Sequence, residues 1–257
     1  MDEKLIGLRN LKKRIAKICE KAEVYRLGGK KLPHIIMELP KGNGQGAVSR
    51  YIANCFYNNE ILDFSSGFER VLLYTIDGSI EQLKKISYEI LGYAVYKNHF
   101  EGVVCFDISE MTLYLDEIQM HIFLDLIADI SKHAVCIFFL REVTSKNSQK
   151  LIKNLKENLY NLEFIDNTPY TNLELAGIAL NSVKSRGIEV KEERKVLKEL
   201  VQIMKENEIG MAYKAIYVAD KIVEFADYTG FVPVISYESI EQAFLEKEKE
   251  GIFYGKR

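Results

Sequence analysis

Three glycines, Gly42, Gly44 and Gly46, lie in the segment Pro40-Lys-Gly-Asn-Gly-Gln-Gly46. Before it stands a short apolar run, His34-Ile-Ile-Met-Glu-Leu39, and after it Ala47-Val-Ser-Arg-Tyr-Ile-Ala-Asn-Cys-Phe56 repeats its apolar residues at helical spacing. A strand, a glycine loop and a helix in that order can hold a phosphate. The glycines let the backbone approach it, and the first amides and the helix N-terminus stabilise its charge. A second candidate is Asp107, which closes the apolar run Gly102-Val-Val-Cys-Phe-Asp107, with the acid Glu110 shortly after it. The competing readings are a tight turn that binds nothing and a solvated or capping acid at a strand end.

The phosphate-loop pattern G-x-x-x-x-G-K-[ST] can be laid over the segment with Gly44 as its second glycine. It then puts Leu39 at the first glycine, Gln45 at the lysine and Gly46 at the hydroxyl position. Gln45 can donate a hydrogen bond to a phosphate but cannot neutralise it. Gly46 offers Mg²⁺ no side-chain oxygen, and Ser49 lies about one turn further along. A rival reading takes Gly42, Gly44 and Ala47 as G-x-G-x-x-A, a dinucleotide fingerprint with Asp63 to hold a ribose. Against it, Pro40-Lys41 separates the strand from Gly42.

The other chemistry-bearing residues narrow the choice. Cys19, Cys55, Cys105 and Cys136 stand far apart inside apolar runs, which reads as buried thiols in a reducing compartment. His34, His99, His121 and His133 lack metal-ligand spacing. The chain has 257 residues, is 47% hydrophobic and 28% charged, and carries a net charge of -2, so it is a folded protein whose surface as a whole does not grip a polyanion. Residues 1 to 31 are the exception, with ten Lys or Arg against four acids. Leu8, Leu11, Ile15 and Ile18 give this stretch helical spacing, and an amphipathic helix with a solvated basic face is favoured over a nucleic-acid contact. With no apolar signal region and no apolar run near ~18 residues, neither a signal peptide nor a membrane span is expected, and the expected compartment is the cytoplasm.

The elements that must position these residues follow from the pattern. Strand-like runs at 34–39, 71–76, 102–107, 134–140 and 162–165 alternate with helical patterns at 79–96, 115–131 and 148–159. This predicts a parallel sheet covered on both faces. After Pro169 the pattern is helical, at 172–184, 192–206, 211–225 and 237–249. The expected domains are therefore an α/β domain over 1–168, with the basic helix of 1–31 at its start, and a helical domain over 169–257.

Taken together these features resemble an AAA+ ATPase, nearest the group of the bacterial Rubisco activases and the stage V sporulation ATPase. Leu5-Ile-Gly-Leu8 with Leu11-Lys12 and Ile15 resembles the family's L-[IV]-G-L-x-x-[VL]-K opening, which implies that Gly7 and Leu8 lie against adenine. Gly42 to Ala53 resembles G-T-G-K-T-T-V-A-R-x-I-A, implying nucleotide contacts from Gly42, Asn43, Gly44, Gln45, Gly46 and Ala47. Gly102 to Asp107 resembles the Walker B strand, and Tyr170-Thr-Asn-Leu-Glu-Leu-Ala176 the start of the helical lid. The lid resemblance continues through Gly210-Met-Ala212 to Ile240-Glu-Gln-Ala243. The resemblance implies a five-stranded parallel P-loop sheet of order 5-1-4-3-2, a small all-helical lid, and ATP or ADP as ligand with Mg²⁺ held at Asp107.

Departures from the family fall on its chemistry. The residue after Asp107 is Ile108 where a water-activating glutamate is expected, leaving Glu110 as a displaced stand-in. The fourth strand leads into Arg141 rather than a small polar sensor, no finger arginine lies between Arg141 and the fifth strand, and the lid's sensor arginine position falls on Tyr213, beside Lys214. Each lost charge-stabilising group typically costs ~10²- to 10³-fold in rate. The expectation is a degenerate AAA+ module with weak or no hydrolysis and residual nucleotide binding, serving as a regulatory or structural partner of another protein or of its own copies. A genuine weak ATPase using Gln45, Glu110 and Arg141 or a partner's groups is the first alternative, and the dinucleotide enzyme the second.

Overall fold

The computed structural model describes residues 5–27, 31–62, 71–97, 102–114 and 116–250. The chain divides into two compact units, Met1–Thr168 and Pro169–Arg257.

The first unit is built on five parallel strands, β1 (His34–Glu38), β2 (Val71–Thr75), β3 (Gly102–Asp107), β4 (Ala134–Leu140) and β5 (Leu162–Ile165), in the order β2-β3-β4-β1-β5. This is the expected 5-1-4-3-2 order read from the other edge. β3 and β4 are buried along their whole length, which is why they read as unbroken apolar runs, whereas the edge strand β2 is only partly covered. Their register pairs Phe106 with Phe138 and Asp107 with Phe139, while β1 pairs Ile36 with Phe138 and Met37 with Phe139.

Strand alternation then sorts the side chains onto two faces. Ile36, Val104, Phe106 and Phe138 join one core cluster with residues of α4 (Ile80–Lys97), α5 (Glu117–Ile130) and α6 (Lys146–Asn158). Within it Phe106 stacks on Phe138 at 5.6 Å between ring centres, and Phe123 meets both edge-on at 6.0 and 6.4 Å. The opposite parity, Ile35, Met37, Cys105, Ile137 and Phe139, is fully buried as well. On that side α3 (Gln45–Asn58) packs against β2 and β3 through its apolar stripe, and α1 (Arg9–Cys19) packs against α3.

The basic N-terminal stretch is not one continuous helix. Its buried stripe of Leu11, Ile15 and Ile18 ends with α1, the chain turns at Glu20–Lys21, and a short α2 (Ala22–Arg26) follows. Beyond Ile18 no further buried apolar residue continues the stripe to hold a longer helix in place. Arg14 of α1 forks onto Glu163 of β5 through two bonds of 2.5 Å, and Asn10 donates to the Asp166 carbonyl at 2.8 Å, so α1 is tied to the edge strand.

The second unit consists of α7 (Asn172–Ser185), α8 (Glu193–Glu206), α9 (Ala212–Val223) and α10 (Tyr237–Glu250) around one apolar cluster that includes Leu175, Leu200, Met204, Val218 and Ile240. α7 starts with a full capping box in which the Thr171 hydroxyl accepts from the Glu174 amide and the Glu174 carboxylate accepts from the Thr171 amide. A short parallel pair is added to these helices, β6 (Glu189–Val190) with β7 (Val234–Ile235). Two residues per strand leave no period-two signal to read in a sequence.

Candidate phosphate-binding loop

Parallel strands place all their C-terminal ends on one edge of the sheet, so the loop after β1, Asp107 at the end of β3 and Arg141 after β4 share that edge. Leu39 continues the ladder, its amide donating to the Leu140 carbonyl at 2.9 Å, and the chain then turns, the Asn43 amide donating to the Pro40 carbonyl at 3.0 Å. Gly42 and Gly44 take φ of 88° and 87°, the left-handed region where a side chain is strained. Gly44 is the N-cap of α3, and no side chain caps the helix. The α3 N-terminus therefore presents first-turn amides at Gln45, Gly46 and Ala47 that have neither an intrahelical acceptor nor a side-chain cap.

Gln45 does not extend toward that opening. Its side chain is 8% exposed, and Nε2 donates to the Leu39 carbonyl at 2.9 Å, bracing the loop from within. Ser49 is fully buried and its hydroxyl donates back to the Gln45 carbonyl at 2.8 Å. Burial raises the pKa of the neighbouring Cys105 thiol to about 12, with Ser49 opposing the shift. Ser49 thus belongs to the α3–β3 packing and cannot replace the missing hydroxyl. Lys41 and Arg50 are exposed, the latter with its Nη1 3.6 Å from where a side chain at Gly46 would begin.

Asp107 is 2% exposed, and its Oδ1 accepts from the Ser109 amide at 3.1 Å. That bond is the strand-end capping role considered above. The Ser109 hydroxyl beside it is buried with no hydrogen-bond partner. Ile108 is fully buried and brings no acid to its position, whereas Glu110 is exposed on the following turn. No group of three or more His, Cys, Asp or Glu suited to a metal occurs among the described residues. Mg²⁺ bound with phosphates needs only one or two carboxylates, but with one carboxylate and no hydroxyl at Gly46 the residues present do not make a metal site by themselves.

Gly7 and Leu8 are buried and left-handed, at φ of 72° and 51°, and form the turn that opens α1. Tyr213 and Lys214 are exposed on the first turn of α9, in the second unit. Asp63, the ribose residue of the dinucleotide reading, lies outside the described residues. The strand order also disagrees with that reading, because β1 sits between β4 and β5, whereas the dinucleotide fold places it beside β2.

At the opposite edge His34 is 7% exposed and accepts from the Cys136 amide through Nδ1 at 3.0 Å. Burial, assisted by the charge of Lys31, lowers its pKa to about 4, so it is a neutral structural acceptor. Sequence spacing also missed the meeting of Cys19 and Cys55, which only the packing of α1 on α3 brings together.

No family model matches the sequence, and no curated protein matches it. The fold does have solved counterparts. The Thermotoga maritima RuvB Holliday junction branch migration motor aligns with a TM-score of 0.60 and 14% identity over 94% of this chain and 70% of that one. The Aeropyrum pernix ORC1 protein, solved in complex with DNA, aligns with a TM-score of 0.57 and 12% identity over 97% and 68%. The class that these likenesses and the strand order define is an α/β P-loop fold with a helical C-terminal part. No described helix is long and apolar enough to cross a membrane.

Proposed function

We propose that this chain is a degenerate AAA+ module, nearest the Rubisco activase and stage V sporulation group, that retains a nucleotide-shaped loop but has little or no ATP hydrolysis. The observation that carries the reading is the Gln45 side chain bonded to Leu39 inside the loop, at the station where a lysine would reach the β- and γ-phosphates. Gly46 and Ile108 support it, since they supply neither the hydroxyl nor the carboxylate of that chemistry. The bare amides of Gln45 to Ala47 still favour a phosphate, by a few tenths to ~2 kcal/mol in good geometry. ADP and ATP should therefore bind weakly, with little difference between them and little dependence on Mg²⁺. The module's role is then regulatory or structural, through assembly with another protein or its own copies, and the unit beginning at Pro169 acts as the helical lid.

Titration of the whole protein with labelled ATP, ADP and NAD, with and without Mg²⁺, tests the binding. Turnover tests the rest: it should equal that of a Gln45→Ala control. A second reading, a weak ATPase, is supported by Asp107 being kept at the strand end beside the unpartnered Ser109 hydroxyl. Turnover well above background that falls with Asp107→Ala would establish it in place of the first. Limited proteolysis tests the division of the chain and should leave a stable α/β fragment ending near Asn167 to Thr171.

A further inference from the structure

Away from the loop, the back of α3 carries a second piece of chemistry. Cys19 is the last residue of α1 and Cys55 lies in the last turn of α3, and the Cys19 Sγ stands 3.7 Å from the Cys55 carbonyl oxygen. Cys19 and Tyr51, the latter one turn earlier on α3, are the two side chains that act on the Cys55 thiol. Both cysteines are partly exposed, whereas Cys105 and Cys136 are fully buried. Donation from Cys19, with help from Tyr51, draws the Cys55 pKa down to about 7, while Cys19 is held up as the donor. The pair therefore joins a partly exposed cysteine of lowered pKa to a second cysteine on the neighbouring helix.

We propose that Cys19 and Cys55 are a peroxide-responsive modification site that closes into a reversible intramolecular disulfide. The Cys55 thiolate attacks one oxygen of hydrogen peroxide and the O–O bond breaks. Cys55 becomes a sulfenic acid, and the other oxygen leaves as hydroxide and takes a proton to become water. Cys19 then gives up its proton and attacks the Cys55 sulfur. The S–S bond forms, the S–O bond breaks, and the sulfenic oxygen leaves as a second water. Two electrons pass from the sulfurs to the peroxide. A dithiol such as dithiothreitol reverses the bond. Because the sulfurs belong to different helices, the bond staples α1 to α3 and closes the chain between residues 19 and 55. Such a closure should raise the melting temperature by on the order of 5 °C.

The test uses the full chain treated with dilute hydrogen peroxide, followed by intact mass and non-reducing peptide mapping. The expected result is a loss of two hydrogen atoms, a single linked peptide pair containing Cys19 and Cys55, untouched Cys105 and Cys136, and reversal by dithiothreitol. A Cys19→Ser variant should instead accumulate a Cys55 sulfenic acid that dimedone traps, and a Cys55→Ser variant should give no rapid product. Far-ultraviolet circular dichroism confirms that both variants fold. An unchanged mass with no dimedone adduct on Cys19→Ser, or a bond joining any other pair or two chains, would overturn the proposal.

Discussion

The two edges of the parallel sheet are built differently. At the N-terminal edge the polar groups around His34 are closed off. The His34 amide donates to the Asn161 carbonyl at 3.1 Å, its ring accepts from the Cys136 amide, and Asn161 takes a left-handed φ of 68° to present that carbonyl. At the C-terminal edge two glycines in the same left-handed region open onto a helix end with no side-chain cap, and the Ser109 hydroxyl beside Asp107 is left without a partner. The first edge is an arrangement for stability; the second keeps polar groups available at a cost in stability. The difference shows that the loop's shape rests on glycine φ and strand order, and not on the side chains that Gln45 and Gly46 bring to it.

The largest effect should come from charging the closed edge. His34 titrates near 4 in the folded chain and near 6.5 when unfolded, so the unfolded state binds the extra proton between those values. Stability is then fully present above about pH 6.5 and falls as pH drops toward 4, by up to ~3 kcal/mol from this residue. Urea unfolding across that range should show a His34→Gln variant, which keeps an acceptor but cannot charge, losing correspondingly less than the native chain. An equal loss in both would mean that the closed edge does not depend on a neutral His34.

The next effect breaks the open edge. Gly44→Val forces a β-branched side chain into φ of 87°. It should cost about 1–2 kcal/mol in denaturant unfolding and abolish any ADP or ATP binding seen by titration calorimetry. Smaller still, Gln45→Lys gives up the bond to Leu39 but supplies the missing cation, and should tighten nucleotide binding by roughly tenfold. The smallest is no change: steady-state ATP turnover of Asp107→Ala should match the native background. Tight, Mg²⁺-dependent preference of the native chain for ATP over ADP would overturn the proposed reading of the loop.

Much of this contrast was legible in the sequence. The strands and the glycine loop could be read because unbroken apolar runs mark strands covered on both faces, and glycines at 42 and 44 occupy places that need positive φ. Gln45, Gly46 and Ile108 can be seen by type alone to supply no cation, hydroxyl or acid. What stayed hidden depended on contacts distant in sequence. That Gln45 turns inward to Leu39, that His34 meets Cys136 and that Cys19 meets Cys55 are consequences of packing. The break between α1 and α2 and the two-residue strands β6 and β7 were missed because elements this short carry too few residues to set a period.

The strand order has a consequence for synthesis. β1 is the first strand to leave the ribosome, yet its neighbours are β4 and β5, so Ile35 pairs with Ile137 and Glu163, more than a hundred positions later. Until residue 165 has emerged, one or both sides of an apolar strand have nothing native to pair with, and the first unit cannot complete its sheet. Such non-local pairing slows folding and leaves a sticky nascent segment exposed. A chain stalled just before β5 should recruit holding chaperones or aggregate, whereas one stalled after Pro169 should already resist protease.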